Sequence, residues 1–183
     1  MDPRQRELYE RYTTGPRADP DNPFRLYDDA GFLIGPPSAW VLSPDLGHAL
    51  ERLGGQMRWG VHASGATREA VILAVAYDAD SAFELFAHEA AGRAEGFSDD
   101  DLAALRDGRA PDGASEETRV AHALAIELIR TRRVAEDSWA RAVEVLGLPL
   151  VFELVTLVGY YQLVALTLCA FAIVPPAFQE NPA

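Results

Sequence analysis

The amino-acid sequence predicts an all-α fold, and three observations support that prediction. Apolar residues recur at helical spacing along most of the chain, whereas no segment shows the sustained alternation of a β-strand. Serine, aspartate and proline stand where helices would begin, and glycines stand where helices would end. Together these patterns predict a bundle of about seven helices.

The first segment, 1–34, is predicted to be an arm that packs on the body of the protein or on a partner subunit. It is rich in proline, aspartate and arginine, and its one helical pattern covers 4–12. A turn at Gly35-Pro36-Pro37 opens a helical domain, 35–174, which a short tail, 175–183, follows. Within the domain, start and stop signals predict helices over 44–54, 68–77, 81–95, 98–108, 116–132, 138–146 and 150–173.

The composition excludes several functions. The chain of 183 residues has a formal charge of −12, which repels the phosphates of nucleic acids. All 16 basic residues are arginine, so no lysine can form a Schiff base. The single cysteine, Cys169, cannot form an intramolecular disulfide, and residues 1–12 lack the apolar stretch of a secretory signal. We therefore expect a cytoplasmic protein that binds no nucleic acid.

One segment, 154–176, carries no charge and is long enough to cross a bilayer. Glu153 and Gln162 disfavour a membrane span, and no arginine follows Arg141 to give the positively charged flank of an anchor. We expect a central helix buried on all sides, in part by neighbouring subunits, and no membrane contact. A single membrane span is the alternative.

Glu69, Glu84 and His88 are the candidate catalytic residues. Glu84 and His88 are four residues apart, so they share one face of a helix, and Glu69 lies on the preceding helix. A carboxylate beside an imidazole is the arrangement of a general base or acid. Two carboxyl groups in one sheltered space raise the pKa of one of them, which supplies a proton donor beside an acceptor.

Structural roles also fit these residues. Ser81 and Glu84 have the spacing of a capping box, His88 could form a surface ion pair, and Glu69 favours the helix dipole. Two carboxylates and an imidazole also suit a metal ion, but the spacing differs from the Glu-x-x-His motif of di-iron bundles. We therefore predict no metal site.

The order and spacing of these residues resemble a known family. Arg68-Glu69 begins an apolar run, eleven residues separate Glu69 from Ser81, and Ser81-x-x-Glu84-x-x-x-His88 follows. This resembles the carboxymuconolactone decarboxylase family of the alkylhydroperoxidase-D-like superfamily, in which a glutamate precedes Cys-x-x-Cys-x-x-x-His at that distance. Here Ser81 and Glu84 occupy the two cysteine positions. The stretches 92–105 and 158–161 are also similar, so that the resemblance covers about 35–174.

The resemblance implies an alkylhydroperoxidase-D-like helical bundle that forms a homotrimer or homohexamer, with active sites near subunit contacts. Without the cysteine pair, thiol peroxidase activity is not expected, because it needs two thiols close together. The decarboxylase branch implies a cofactor-independent lyase or isomerase that acts on a small carboxylated lactone or related organic acid. A dehydratase or cyclase, or a non-catalytic binding protein of the same fold, is the alternative.

We expect His88 to transfer the proton, Glu84 to orient it, and Glu69 to act as a second acid or base. Arg68 and Ser81 are predicted to bind substrate, Arg68 by holding a carboxylate, although a solvated arginine fits as well. Tyr160 and Tyr161 could donate to a developing oxyanion, but core packing is the favoured alternative for both.

Overall fold

A computed structural model describes residues 1–15, 18 and 25–176 of the chain. Over these residues the all-α prediction is confirmed, since the chain forms helices and a single antiparallel bridge between Tyr27 and Leu33. The helices are α1 (Pro3–Thr13), α2 (Pro37–Trp40), α3 (Pro44–Gly55), α4 (Gly65–Asp78), α5 (Ala82–Ala94), α6 (Asp99–Arg106), α7 (Glu116–Thr131) and α8 (Glu136–Ala170), and a π-helical turn, Gln56–Gly60, follows α3.

Two predicted boundaries differ from the structure. The Pro36-Pro37 turn leads directly into α2, because a proline in the first turn of a helix has no N–H to leave unpaired. The two helices predicted on either side of Gly147 are joined as α8, which is broken at that residue (φ 75°, ψ 153°). Only glycine adopts this conformation without strain, and Pro149 fits because the helix is already interrupted there.

Helix α4 is the central element, and it packs against α5, α6, α7 and α8. Every residue of the apolar run 70–76 is buried, which explains why the run lacks the polar face of a surface helix. Glu69 directly precedes this run and is fully buried as well. A carboxyl group is therefore held in the interior by the same helix that forms the core.

Hydroxyl groups connect the beginnings of α4 and α7. Ser64 and Ser115 are the N-caps of these helices and accept from the backbone N–H groups of Thr67 and Thr118. The two threonine hydroxyls are buried and lie 2.8 Å apart, Oγ1 to Oγ1. This hydroxyl network connects α4 and α7 at Thr67, two residues before Glu69.

The described part of the arm packs on the body of the same chain. Leu8 and Tyr12 of α1 are fully buried against the core, and Arg11 Nε donates to Glu51 Oε2 of α3 at 2.7 Å. Residues 16, 17 and 19–24 of the predicted arm and 177–183 of the predicted tail lie outside the described residues. The division of the chain at 34 and 174 remains a prediction.

A single chain buries only part of the last helix, so the expectation that neighbouring subunits cover the rest stays a prediction. One face of α8 packs on the core, but Phe152 and Leu166 on the opposite face are 72% and 71% exposed. Over the described residues, α8 is the one helix long and apolar enough to cross a membrane. This is weak evidence for a membrane span, because core helices of soluble proteins have the same length and composition.

Candidate active site

A small cavity of about 60 Å³ lies between α1, α2, α5 and α8. Its polar and aromatic wall consists of Tyr12, Trp40, Glu84, His88, Tyr160 and Tyr161. The rest of the wall is apolar. Two of the three predicted catalytic residues therefore line the same cavity.

His88 is paired with Glu69 across two helices. The His88 Nδ1 atom lies 2.7 Å from Glu69 Oε2, and both side chains are buried. Because an ionised carboxylate only accepts hydrogen bonds, this contact places the imidazole proton on Nδ1. Proton exchange with a molecule in the cavity would then use Nε2.

Glu69 is held in its ionised form by the groups around it. Burial raises the pKa of Glu69, but His88, Arg58 and Arg68 together outweigh that effect and leave the pKa lowered. Arg58 Nη1 donates to Glu69 Oε1 at 3.2 Å, and Arg68 Nε lies 3.5 Å from the same oxygen. Glu69 is therefore the carboxylate that contacts His88, whereas the predicted pairing of Glu84 with His88 is not seen among the described residues.

Glu84 is a buried carboxyl group without a fixed partner. Its side chain lines the cavity, its residue is 2% exposed, and neither carboxyl oxygen has a hydrogen-bond partner among the described residues. Burial raises the pKa of Glu84 to about 8, and only the Ser81 hydroxyl opposes this shift. Glu84 is therefore protonated at neutral pH, so that it can donate a proton into the cavity.

The predicted capping box at the start of α5 does not form. Ser81 is the N-cap residue, but its side chain makes no capping hydrogen bond. The Ser81 hydroxyl is buried without a partner in the part of the chain that the structure describes, and it does not line the cavity. Its predicted contact with substrate therefore has no support in the geometry.

Both predicted tyrosines line the cavity, and Tyr161 packs against the imidazole of His88. The ring of Tyr161 meets the ring of His88 edge-on at 5.0 Å between centroids, and Tyr160 meets Tyr161 in the same way at 5.4 Å. The Tyr160 hydroxyl donates to the backbone carbonyl of Leu50 at 3.4 Å. Tyr161 thus packs between His88 and Tyr160, and burial raises the pKa of Tyr161.

Arg68 is not part of the cavity wall. Its guanidinium lies between two carboxylates, with Nε 3.5 Å from Glu69 Oε1 and Nη2 3.7 Å from Glu95 Oε1. The structure therefore does not place Arg68 where it could bind the carboxylate of a molecule in the cavity. Over the residues described, no group of three His, Cys, Asp or Glu side chains is arranged to hold a metal ion.

Three residues of the site were not predicted from the sequence. Arg58 reaches Glu69 from the π-helical turn, and Tyr12 and Trp40 close the cavity from the arm side. The indole Nε1 of Trp40 is buried and has no hydrogen-bond partner among the described residues. No motif links these positions to Glu69 or His88 in the sequence, because only the packing of α1 and α2 on the core brings them together.

A glycine allows the arm to approach the cavity closely. Gly35 has a positive φ of 66°, and a Cβ atom there would lie 2.4 Å from the ring of Phe83. The chain can therefore press against α5 at this point and place Pro36 and Pro37 in the cavity wall.

The geometry defines an all-helical protein in which a buried Glu–His pair and a neutral carboxyl group share one small cavity. Residues 44–127 match the model of the carboxymuconolactone decarboxylase family, and this confirms the resemblance found in the sequence. The matched segment contains Glu69, Glu84 and His88 and makes the chain a candidate enzyme of that superfamily. Searches of curated proteins and of solved structures found no match to the chain.

The matched segment covers somewhat less than half of the chain, from α3 to most of α7. The arm, α2 and α8 lie outside it, although they supply Tyr12, Trp40, Tyr160 and Tyr161 to the cavity. The three candidate catalytic residues are thus in the matched segment, and most of the cavity wall is not.

Proposed function

We propose that the protein is a cofactor-independent acid–base enzyme of the decarboxylase or isomerase type. Its substrate is a small lactone or a related organic acid. One observation carries the proposal: a proton donor, Glu84, and a carboxylate-oriented imidazole, His88, face the same cavity. General acid–base catalysis requires such a pair, each in the opposite protonation state.

The reaction follows from the roles of these groups. His88 Nε2 accepts a proton from the carbon next to the substrate carbonyl, and Glu84 donates its proton to the carbonyl oxygen. The product of this half-reaction is an enol, with Glu84 ionised and His88 protonated. In an isomerisation, protonated His88 then gives its proton to a different carbon of the enol, and the enol oxygen returns its proton to Glu84. In a decarboxylation, loss of carbon dioxide replaces the first proton removal.

The first half-reaction can be measured without knowing the natural substrate. We would incubate the protein in D₂O at pD 7 with γ-butyrolactone, α-angelica lactone and cyclopentanone, and follow C–H to C–D exchange by NMR. Wild-type protein should accelerate exchange next to the carbonyl of at least one probe. His88→Gln and Glu84→Gln should each lower that acceleration by about 10²-fold or more.

Two buried residues outside the cavity provide matched controls. His122 is buried on α7 and its pKa is lowered to about 4 by burial and by Arg130, and Glu51 is buried beside Arg11. His122→Gln and Glu51→Gln should retain wild-type exchange. Exchange that is absent for every probe, or unchanged in the His88 and Glu84 variants, would overturn the proposal. Binding without exchange would favour a non-catalytic binding protein.

We further propose that the protein is a cytoplasmic homo-oligomer, a trimer or hexamer. The exposed face of α8 supports this proposal, because Phe152, Val155, Gly159, Leu163 and Leu166 recur at three- and four-residue intervals. That spacing suits packing against a helix of a second copy. The net charge of −12 disfavours the alternative, an anionic membrane surface.

A further inference from the structure

We propose that the cavity accepts an uncharged carbonyl compound and discriminates against carboxylates, so that the reaction is a proton shift and not a decarboxylation. This inference rests on the proposed function and names its substrate class. It departs from the carboxylated lactone expected from the sequence, because the charges around the cavity do not suit an anion.

Each described arginine beside Glu69 is already paired with a carboxylate. Arg58 and His88 share Glu69, and Arg68 lies between Glu69 and Glu95. Among the described residues no arginine lines the cavity, and the chain contains no lysine. A bound carboxylate would lose its hydration without gaining a cation of its own, which is a strongly unfavourable exchange.

The hydrogen-bonding groups on the wall suit a single carbonyl oxygen. Protonated Glu84 is a donor, and the Trp40 indole N–H is a second donor without a partner among the described residues. A carbonyl oxygen has two lone pairs and can accept from both. Apolar residues such as Phe83, Ala87 and Val164 form the surface around these donors and suit a hydrocarbon body.

The size of the cavity limits the substrate. Its volume of about 60 Å³ corresponds to roughly four to six water-sized positions. A five-membered lactone or cyclic ketone is of this size. With an unsaturated substrate of this kind, His88 accepts a proton from one carbon and Glu84 protonates the oxygen. His88 then returns its proton to a different carbon and the enol oxygen returns its proton to Glu84, so that the carbon–carbon double bond moves and no atom is gained or lost. No carbon dioxide can be released, because the substrate carries no carboxylate.

A matched pair of small molecules tests the charge preference. The ketone 3-methylbutan-2-one and the anion 2-methylpropanoate differ only by a methyl group in place of a carboxylate oxygen. Their dissociation constants would be measured at pH 6.5 by ligand-observed NMR. We expect the ketone to bind at least 10-fold more tightly than the carboxylate. Equal or tighter binding of the carboxylate, or binding of neither molecule, would overturn the inference.

Two variants connect binding to this cavity. Ala87→Leu fills part of the cavity and should abolish ketone binding, whereas Ala66→Leu on α4 lies outside the wall and should not. Helicity is measured for both variants by circular dichroism. Ketone binding that survives in folded Ala87→Leu protein contradicts the inference.

The dependence of binding on pH gives a second measurement that needs no cavity-filling variant. The titratable side chains facing Glu84 across the cavity are those of Tyr12, His88, Tyr160 and Tyr161. Ionisation of Glu84 near pH 8 turns a donor into an acceptor, so ketone affinity should fall severalfold between pH 6.5 and 9. Glu84→Gln keeps a donor at every pH and should show no such fall; an equal fall in the variant contradicts the inference.

These binding measurements are independent of catalysis. If the ketone is preferred but no probe exchanges hydrogen for deuterium, the proposed function fails and the charge preference remains. If exchange occurs but carboxylates bind as well as ketones, the substrate class fails and the acid–base function remains.

Discussion

Glu84 shows how burial changes the chemistry of a carboxyl group. Glu69 and Glu84 are both buried, but Glu69 is surrounded by His88 and two arginines, whereas Glu84 faces an apolar cavity. The pKa of Glu69 is therefore lowered and that of Glu84 is raised to about 8. The same side chain serves as an ionised orienting group in one position and as a neutral proton donor in the other.

The raised pKa of Glu84 predicts a dependence of stability on pH. Between the ordinary glutamate value and about 8, the folded state keeps a proton that the unfolded state has lost. Stability should therefore fall as pH rises through this window, by about 1.4 kcal/mol per pH unit from this group. Urea denaturation at pH 5, 6, 7 and 8 measures the slope.

Glu84→Gln should remove that contribution, so its stability relative to wild-type protein should improve steadily from pH 5 to 8. Ser81→Ala provides a further comparison, because loss of the hydroxyl that opposes the shift should extend the window to higher pH. Parallel pH profiles for wild type and Glu84→Gln would show that Glu84 does not hold its proton.

The lowered pKa of Glu69 predicts the opposite dependence, a loss of stability as the pH falls. Because its pKa is lowered in the folded state, its contribution is present above the ordinary glutamate value and is lost as pH falls below it. Glu69→Gln should cost about 3 kcal/mol at pH 7, since it leaves Arg58 and His88 without their carboxylate. The deficit should shrink toward pH 3. A deficit that is constant with pH would indicate a packing effect and not a charge effect.

At the scale of secondary-structure elements, the hydroxyl network between α4 and α7 positions Glu69. Both helices begin with a serine cap, and the caps are linked through the buried side chains of Thr67 and Thr118. Each threonine hydroxyl also contacts the serine hydroxyl of its own cap, so removal of one threonine hydroxyl leaves the other with one partner fewer. The two threonines should therefore behave as a unit.

Thr67→Val and Thr118→Val should each destabilise the protein by about 1–2 kcal/mol, and the double variant should cost less than the sum. Chemical denaturation of the three variants gives the coupling energy. Thr14→Val is the control, because the exposed Thr14 hydroxyl donates only to the carbonyl of Glu10 in its own helix. Strict additivity of the two core substitutions would contradict a shared network.

At the scale of the whole molecule, the exposed face of α8 is the feature that a single chain leaves unexplained. Several large apolar side chains lie on this face, whereas the opposite face packs in the core. Apolar surface of this extent on a helix favours association with another surface. The predicted homo-oligomer would cover it.

Replacing Phe152 and Leu166 by glutamate should convert the oligomer to monomers, because burying two carboxylates at a contact is unfavourable. Light scattering coupled to size exclusion measures the mass of each species. The matched control replaces Leu42 and Leu46, which are equally exposed but lie outside α8, and should keep the oligomer. A monomeric wild-type protein, or one that leaves the membrane fraction only in detergent, would contradict the prediction.

The sequence alone was sufficient to predict most of the helices and to select the three candidate catalytic residues. Several features of the helices depend only on residues that are close in sequence, so local spacing predicts them. They are the serine caps Ser64 and Ser115, the glycine at Gly147 and the apolar run of α4. The family resemblance rested on the order of Glu69, Glu84 and His88, which is also a property of the chain as written.

Only the tertiary structure shows which carboxylate contacts the His88 imidazole. Spacing favoured Glu84 because it lies one helical turn before His88, but packing of α4 on α5 brings Glu69 within 2.7 Å instead. The tertiary structure also places the guanidinium groups of Arg58 and Arg68 beside Glu69 and not in the cavity wall. Local sequence fixes backbone conformation, whereas burial and pairing depend on contacts between distant segments, and these contacts set each pKa.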